Sequence, residues 1–172
     1  SSPGILDLEL AADSTFGGVL GGPGSDENNL SFTKRGVGAL TLTGAHSYTG
    51  ATHVQEGDLW LASGASLDLT ATTVSAGATL GGEGSIAGDV ALFGTLAPAG
   101  DAIGSFNVGG TLTAAPGSSL AIEIDDWNGV AKVRAEPGGV GLLGKLALQE
   151  GEHAGDLLAA ALGPERQLLG PQ

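Results

Sequence analysis

A short unit of glycine, one variable residue and leucine recurs along this chain and limits what it can fold into. The clearest copy is the segment 38–44, in which Leu40 and Leu42 alternate with Thr41 and Thr43 between two glycines. This alternation predicts a short strand with leucines on one face and threonines on the other.

The same pattern returns further along the chain. Segment 57–64 is the second copy, with Leu59 and Leu61 in the leucine positions. Weaker copies follow at 77–80, 94–97 and 110–114. A unit that recurs every one to two dozen residues, roughly, is typical of stacked repeats, so we expect a solenoid rather than a compact fold.

Composition favours short strands and frequent turns. Hydrophobic residues make up 41% of the 172 residues but aromatic residues only 4%, and 32 glycines and 7 prolines are spread among them. No helical heptad pattern is present. Because the glycines lie within apolar repeats, we do not expect a disordered chain.

The charge balance is strongly acidic, with 19 Asp and Glu against 6 Lys and Arg and a formal net charge of −13. Nucleic acids and anionic membrane surfaces need a basic footprint, so neither is expected as a partner. Solubility of a long β-structure is the favoured explanation of this charge, and an acidic site for cations is the alternative.

The chain has no cysteine, which excludes a thiol nucleophile, a zinc finger and an iron–sulfur site. It also lacks methionine, so we expect it to be a piece of a longer protein. No run of about 18 apolar residues is present to span a membrane as a helix.

The acidic loop 21–29 begins like the calcium-binding nonapeptide GGxGxDxUx. Asn28 stands where that motif requires a large apolar residue, and no second copy follows. Because such sites are built between adjacent turns, we interpret the loop as a turn and predict no cofactor. The three histidines, His46, His53 and His153, are expected to be exposed. A metal site built on His46 and His53 would need a third ligand, and the sequence suggests none.

Residues 32–50 read FTKRGVGALTLTGAHSYTG and are followed by Thr52 and Val54. This string resembles the passenger-associated strand repeat of bacterial autotransporters, whose motif is approximately LTKxGxGTLTLxGxNTYTGxTxVxxGxL. His46 and Ser47 replace the Asn and Thr of that motif, and Arg35 stands where a small residue is usual. Residues 74–100 and 103–125 resemble the coils that follow in such passengers.

The fold expected from the repeats and the resemblance is all-β: an elongated, right-handed parallel β-helix, or solenoid. With ~20–25 residues per coil, about seven or eight coils would form a rod roughly 35 Å long. A β-sandwich is the alternative, although the two-residue hairpin turns that would favour it are not seen.

Three regions are expected: N-terminal coils with the acidic loop over 1–29, passenger-type repeats over 30–124, and C-terminal coils with a less regular tail over 125–172. Residues 16–20 are predicted to form the second strand, and residues 156–164 have helical composition.

Trp60, Glu123 and Asp125 are the candidate surface contacts. Strand parity places Trp60 opposite Leu59 and Leu61, where its ring would stack on a sugar, dock in a partner or, as we favour, cover a neighbouring strand. Glu123 and Asp125 share one face of a strand, and we interpret them as its solvated face rather than as an acid/base pair.

The resemblance implies a non-catalytic stalk and folding seed within a passenger that is displayed on a Gram-negative surface, or secreted, via the periplasm and outer membrane. Its implied partner is the membrane β-barrel of its own full-length protein. The alternative is an adhesin module that binds host glycan, host protein, other bacteria or like chains. Any enzymatic activity would lie in an upstream domain.

Overall fold

The computed structural model describes residues 4–24, 26–100 and 104–121, together with the strand backbone of 141–142 and 145–147. All regular secondary structure in these residues is β-strand. In chain order the strands are β1 (Gly4–Glu9), β2 (Ser14–Phe16), β3 (Leu30–Arg35), β4 (Leu40–Leu42), β5 (Ala45–His46), β6 (Thr52–Val54), β7 (Asp58–Leu61), β8 (Ser66–Leu67), β9 (Thr72–Val74), β10 (Thr79–Gly82), β11 (Ser85–Ile86), β12 (Val90–Leu92), β13 (Thr95–Pro98), β14 (Asn107–Val108), β15 (Leu112–Ala114), β16 (Ser119–Ala121), β17 (Gly141–Leu142) and β18 (Lys145–Ala147).

The strands form three sheets. Sheet A has the spatial order β1-β3-β6-β9-β12-β15-β17, sheet B the order β18-β16-β13-β10-β7-β4-β2, and sheet C the order β14-β11-β8-β5. Every strand pair in them is parallel. The chain visits the sheets in turn and stacks each coil on the previous one. The predicted parallel β-helix is therefore confirmed, and the β-sandwich alternative is wrong.

The coils are less uniform than the sequence predicts. Thr52, Thr72 and Val90 are equivalent residues of sheet A, separated by 20 and then 18 residues. In sheet B, Leu80 and Leu96 are equivalent and only 16 residues apart. Seven strands in each of sheets A and B correspond to seven coils within the described residues. The variation lies in the turns, because the strand registers are continuous.

Leucines of the Gly-x-Leu units form a buried column on the inner face of sheet B. Leu40 pairs with Leu59, Leu59 with Leu80, and Leu80 with Leu96. All four are at most 4% exposed. Full burial of such a side chain contributes about 1.5–3 kcal/mol, so this column is a main source of stability.

The first coil is more exposed than the coils that follow. Its second strand lies at Ser14–Phe16, so the prediction of residues 16–20 is wrong in its bounds. β2 pairs with β4 over three residues, and that pairing ends where Phe16 lies beside Leu42.

None of the described residues forms a helix that is long and apolar enough to cross a membrane.

Lys34 is the unexpected member of the inner face of sheet A. It lies between Leu8 and Val54 in the strand register and is 0% exposed. Its Nζ donates hydrogen bonds to the backbone carbonyls of Gly36, at 2.5 Å, and Glu56, at 2.9 Å. Burial lowers the pKa of this ammonium group, and neighbouring carboxylates, Asp58 foremost, oppose that shift. The lysine therefore ties together the turns of two successive coils.

Threonines also enter the interior, contrary to the expectation that hydroxyl side chains face out. Thr52 and Thr72 are paired neighbours in sheet A and are 0% and 1% exposed. The hydroxyl of Tyr48 lies 2.6 Å from that of Thr52, which lies 3.0 Å from the hydroxyl of Thr70. Thr70 donates to the carbonyl of Gly50. The hydroxyls of Tyr48, Thr52 and Thr70 are tolerated here because they hydrogen-bond one another, whereas Oγ1 of Thr72 has no partner in the described structure. Burial raises the pKa of Tyr48 to about 12.

His46 corrects the expectation that the histidines are exposed, because it is 0% exposed. Its Nδ1 accepts a hydrogen bond from the backbone N–H of Leu20 at 3.0 Å, while its buried Nε2 has no partner in the described structure. The ring stacks on Phe16, with centroids 6.1 Å apart. Burial lowers the pKa of His46, and the Asp68 carboxylate opposes that shift. A neutral His46 thus attaches the first coil to the second.

The two faces of sheet B should respond differently to a charge. Leu61→Asp places a carboxylate at a position that is 0% exposed, and we expect it to lower the free energy of unfolding by at least about 3 kcal/mol. Thr41→Asp, on the outer face, should cost less than about 1 kcal/mol. Denaturant unfolding of both variants measures the difference, and equal losses would contradict the register.

The buried His46 should make stability depend on pH. An unfolded histidine has a pKa of about 6.5, and the folded value is lower, so the unfolded chain takes up the proton first as the pH falls. The stability that the neutral His46 contributes to the folded state is fully present above about pH 6.5. It is lost as the pH falls below that value, at up to about 1.4 kcal/mol per pH unit. Unfolding midpoints at pH 7.5 and 5.5 measure this loss.

The matched variants are His46→Asn and His53→Asn. An asparagine at position 46 cannot titrate, and its side-chain oxygen can accept the Leu20 N–H, so much of the loss between pH 7.5 and 5.5 should disappear. The same substitution at His53, in β6, should leave the loss in place. Equal pH dependence in the two variants would exclude His46 as its source.

Candidate functional site

Trp60 lies on the outer face of sheet B. It stands between Leu59 and Leu61, which are both 0% exposed, and is itself only partly buried. Its neighbours across the ladder are Thr41 on one side and Gly81 on the other. The structure thus places Trp60 where strand parity predicted it.

The indole ring reaches over the two following coils. A Cβ atom built on Gly81 would lie 2.4 Å from Cζ3 of Trp60, and one built on Gly100 would lie 3.3 Å from Cη2. The ring therefore occupies space that side chains at these glycines would fill. The ring thus covers the backbone of a neighbouring strand rather than one of its side chains, which the sequence favoured, and glycine at position 81 makes this sterically allowed.

A cleft opens beside the ring because three successive turns differ in length. Four residues, 62–65, connect β7 to β8, and eight residues, 99–106, connect β13 to β14. Only two, 83–84, connect β10 to β11 between them. The short turn leaves a recess of about 470 Å³, which we name the Trp60 notch. Its lining residues are Trp60, Leu61, Ala62, Ser63, Gly82, Glu83, Ala99 and Gly100.

The Trp60 notch combines an aromatic ring, a hydroxyl and a carboxylate. Ser63 and Glu83 are exposed there, and the described residues provide no ion pair or hydrogen bond for the Glu83 carboxylate. Ala99 has a φ of 56°, the only positive φ at a described residue other than glycine. Its N–H donates to the carbonyl of Gly82 at 2.6 Å, which holds this left-handed turn against the notch. The arrangement suits binding rather than bond-breaking chemistry.

Glu123 and Asp125 lie outside the described residues. Their position on the solvated face of a strand therefore stays a prediction, and residues 156–164, which have helical composition, also lie outside the described residues.

His46 and His53 are not brought together, and His153 lies outside the described residues. His46 points into the core from sheet C, whereas His53 lies in β6 between Thr33 and Thr73. The described residues contain no group of three or more His, Cys, Asp and Glu side chains that could hold a metal ion.

Asn28 organises the acidic loop, a role that the sequence did not suggest. Its Oδ1 accepts hydrogen bonds from the N–H of Gly22 at 2.7 Å and from the hydroxyl of Ser47 at 3.2 Å. Its carbonyl accepts from the N–H of Thr49. The loop thus caps the turn that contains Tyr48. The sequence signal that could have revealed this role was the polar Asn28 at the position where a calcium-binding motif needs an apolar residue.

Comparison with known proteins gives one family match and one curated relative. The family described as Passenger-associated-transport-repeat matches residues 32–61. That range covers the buried Lys34, the inner leucines of β4 and β7, and Trp60 itself.

The chain is 43% identical over 79 residues to the Adhesin BmaC autotransporter of Brucella suis biovar 1 (strain 1330). The aligned segment is 46% of this chain and 2% of that protein, so the chain spans a small fraction of its relative's length. No solved structure matches the chain significantly. The similarity supports display at the cell surface or secretion through the outer membrane. The parallel coils, the repeat at residues 32–61 and this relative together show that part of the chain is similar to autotransporter passenger regions.

Proposed function

We propose that this passenger region acts as a non-catalytic β-helical stalk and folding seed. The observation that carries the proposal is the continuous ladder from β2 to β18 in sheet B, whose inner face is a buried leucine column from β4 to β13. Such a ladder transmits stability from coil to coil, because every coil buries its inner face against its neighbours.

Folding by coil addition gives the seed its role. A formed coil offers parallel strand edges and stacked side chains to the next coil, whereas an isolated coil has nothing on which to bury its leucines. The seed would lie near the C-terminal end of the region, where the buried residues Leu96, Ala97 and Ala114 would belong to such a preformed edge. A stable seed then draws further chain into the rod without an external energy source.

The two buried titratable groups with cationic forms in the described residues, Lys34 and His46, are engaged with backbone, which supports a non-catalytic role. The partner in this proposal is the membrane β-barrel of the chain's own full-length protein.

An adhesin-type binding module is the second candidate. The curated relative is named an adhesin, and the Trp60 notch gives this chain an outward-facing recess of a size that ligands occupy. Host glycan, host protein and other bacteria are the ligands that this candidate would recognise. The two candidates differ in which residues matter: inner ones for a stalk, outer ones for an adhesin.

Surface display separates the two candidates. Deleting residues 94–148 from the full-length protein removes strands β13 to β18 and with them the edge on which neighbouring coils stack. We expect the amount of protease-resistant passenger on the cell surface to fall severalfold. Changing Trp60, Glu123 and Asp125 together to alanine should leave display and cell adhesion intact.

The paired measurements are protease-resistant surface passenger and adhesion to host cells, in both variants and the parent. Normal display after the deletion would reject the folding-seed role. Normal display of the triple variant with lost adhesion would favour the adhesin instead.

A further inference from the structure

The Trp60 notch has an aromatic wall that is fixed by its surroundings. The indole lies over Gly81 and meets Gly100, so the backbone of two coils backs it. The faces of tryptophan rings carry negative electrostatic potential and attract ammonium or guanidinium groups within about 6 Å. A ring held in place loses little conformational entropy on binding, which favours its use as a recognition surface.

The notch also carries a carboxylate that no cation of the described structure neutralises. Glu83 follows β10 in the two-residue turn and is exposed. One of its oxygens lies 2.9 Å from where a Cβ on Gly104 would be, so the carboxylate extends toward the turn that follows β13. The ring of Trp60 and the side chain of Glu83 both line the same recess.

The cationic side chains of this part of the chain are already engaged. Between residues 4 and 121 they are Lys34 and Arg35. The Lys34 ammonium is buried and donates to two carbonyls, and Nε of Arg35 lies 3.1 Å from Oδ1 of Asp7. With a formal net charge of −13 for the chain, the surface around the notch favours a positively charged occupant.

We propose that the Trp60 notch binds the side-chain ammonium group of a lysine presented by a partner polypeptide. The ring supplies the cation–π contact, Glu83 the charge-assisted contact, and Ser63 a hydroxyl at the rim. A recess of about 470 Å³ admits a lysine side chain with part of its flanking backbone. A neutral sugar would use the ring but not the charge. This role adds to the stalk function and does not depend on it.

The test titrates the 172-residue chain with a blocked pentapeptide of four glycines around one central lysine, at about 0.15 M salt to screen diffuse attraction. Amide and indole N–H signals are followed by NMR. We expect saturable shifts at the Trp60 indole and the Gly82 and Glu83 amides. Trp60→Ala and Glu83→Gln should each weaken binding at least about threefold, and Trp60→Phe should weaken it less than Trp60→Ala.

Two controls distinguish the notch from general attraction to an acidic protein. The same peptide with an acetylated lysine lacks the charge and should not bind. Glu9→Gln removes one exposed carboxylate from β1, far along the ladder, and should leave the affinity unchanged. Thermal unfolding confirms that each variant is folded.

Three results would overturn the proposal: binding of the acetylated peptide, equal weakening by Glu9→Gln and Glu83→Gln, or no saturable shift at Trp60. Tetramethylammonium is titrated separately. If it saturated the notch while the lysine peptide did not, the occupant would be a quaternary ammonium group and the lysine proposal would be wrong.

Discussion

In-register parallel pairing is the constraint on which the rest of this structure depends. Each backbone ladder aligns equivalent residues of successive coils, so an inner side chain always packs on the side chains one coil before and one coil after it. Like residues therefore accumulate in columns. Leucines fill one column of sheet B, and the hydroxyls of Thr52 and Thr72 are neighbours in sheet A. A buried polar residue needs a hydrogen bond from the next coil or a turn, and Oγ1 of Thr72 is buried without one in the described structure.

Lys34 and His46 show two outcomes of that requirement. Lys34 places its ammonium between the carbonyls of Gly36 and Glu56, and the positive φ of Gly57, 62°, lets the second turn pass beside it. His46 is satisfied at Nδ1 alone and leaves Nε2 buried without a partner. The lysine therefore strengthens the junction between two coils, whereas the histidine makes the junction with the first coil sensitive to acid.

The leucine columns and the outward position of Trp60 could be predicted, because strand alternation fixes which face a side chain occupies. The burial of Lys34 and His46 was missed, since their polarity suggested exposure even though Lys34 shares the parity of Phe32. The hydrogen bonds of Asn28 could not be foreseen, because Ser47 and Thr49 are distant in sequence and meet it only through coil stacking. The Trp60 notch was hidden for the same reason: it depends on the relative lengths of three turns.

A parallel β-helix can change its turns without disturbing its ladders, and this separates structural from binding roles. Gly82 keeps its register with Leu61 and Pro98, although the turn that follows it is two residues long and its neighbours have four and eight. The short turn removes surface and creates a recess, while the leucine column behind it stays buried. Turn lengths can therefore alter what the rod recognises with little effect on whether it folds. The proposed stalk function and the proposed contact site are compatible in this geometry, because they would use opposite faces of the same strands.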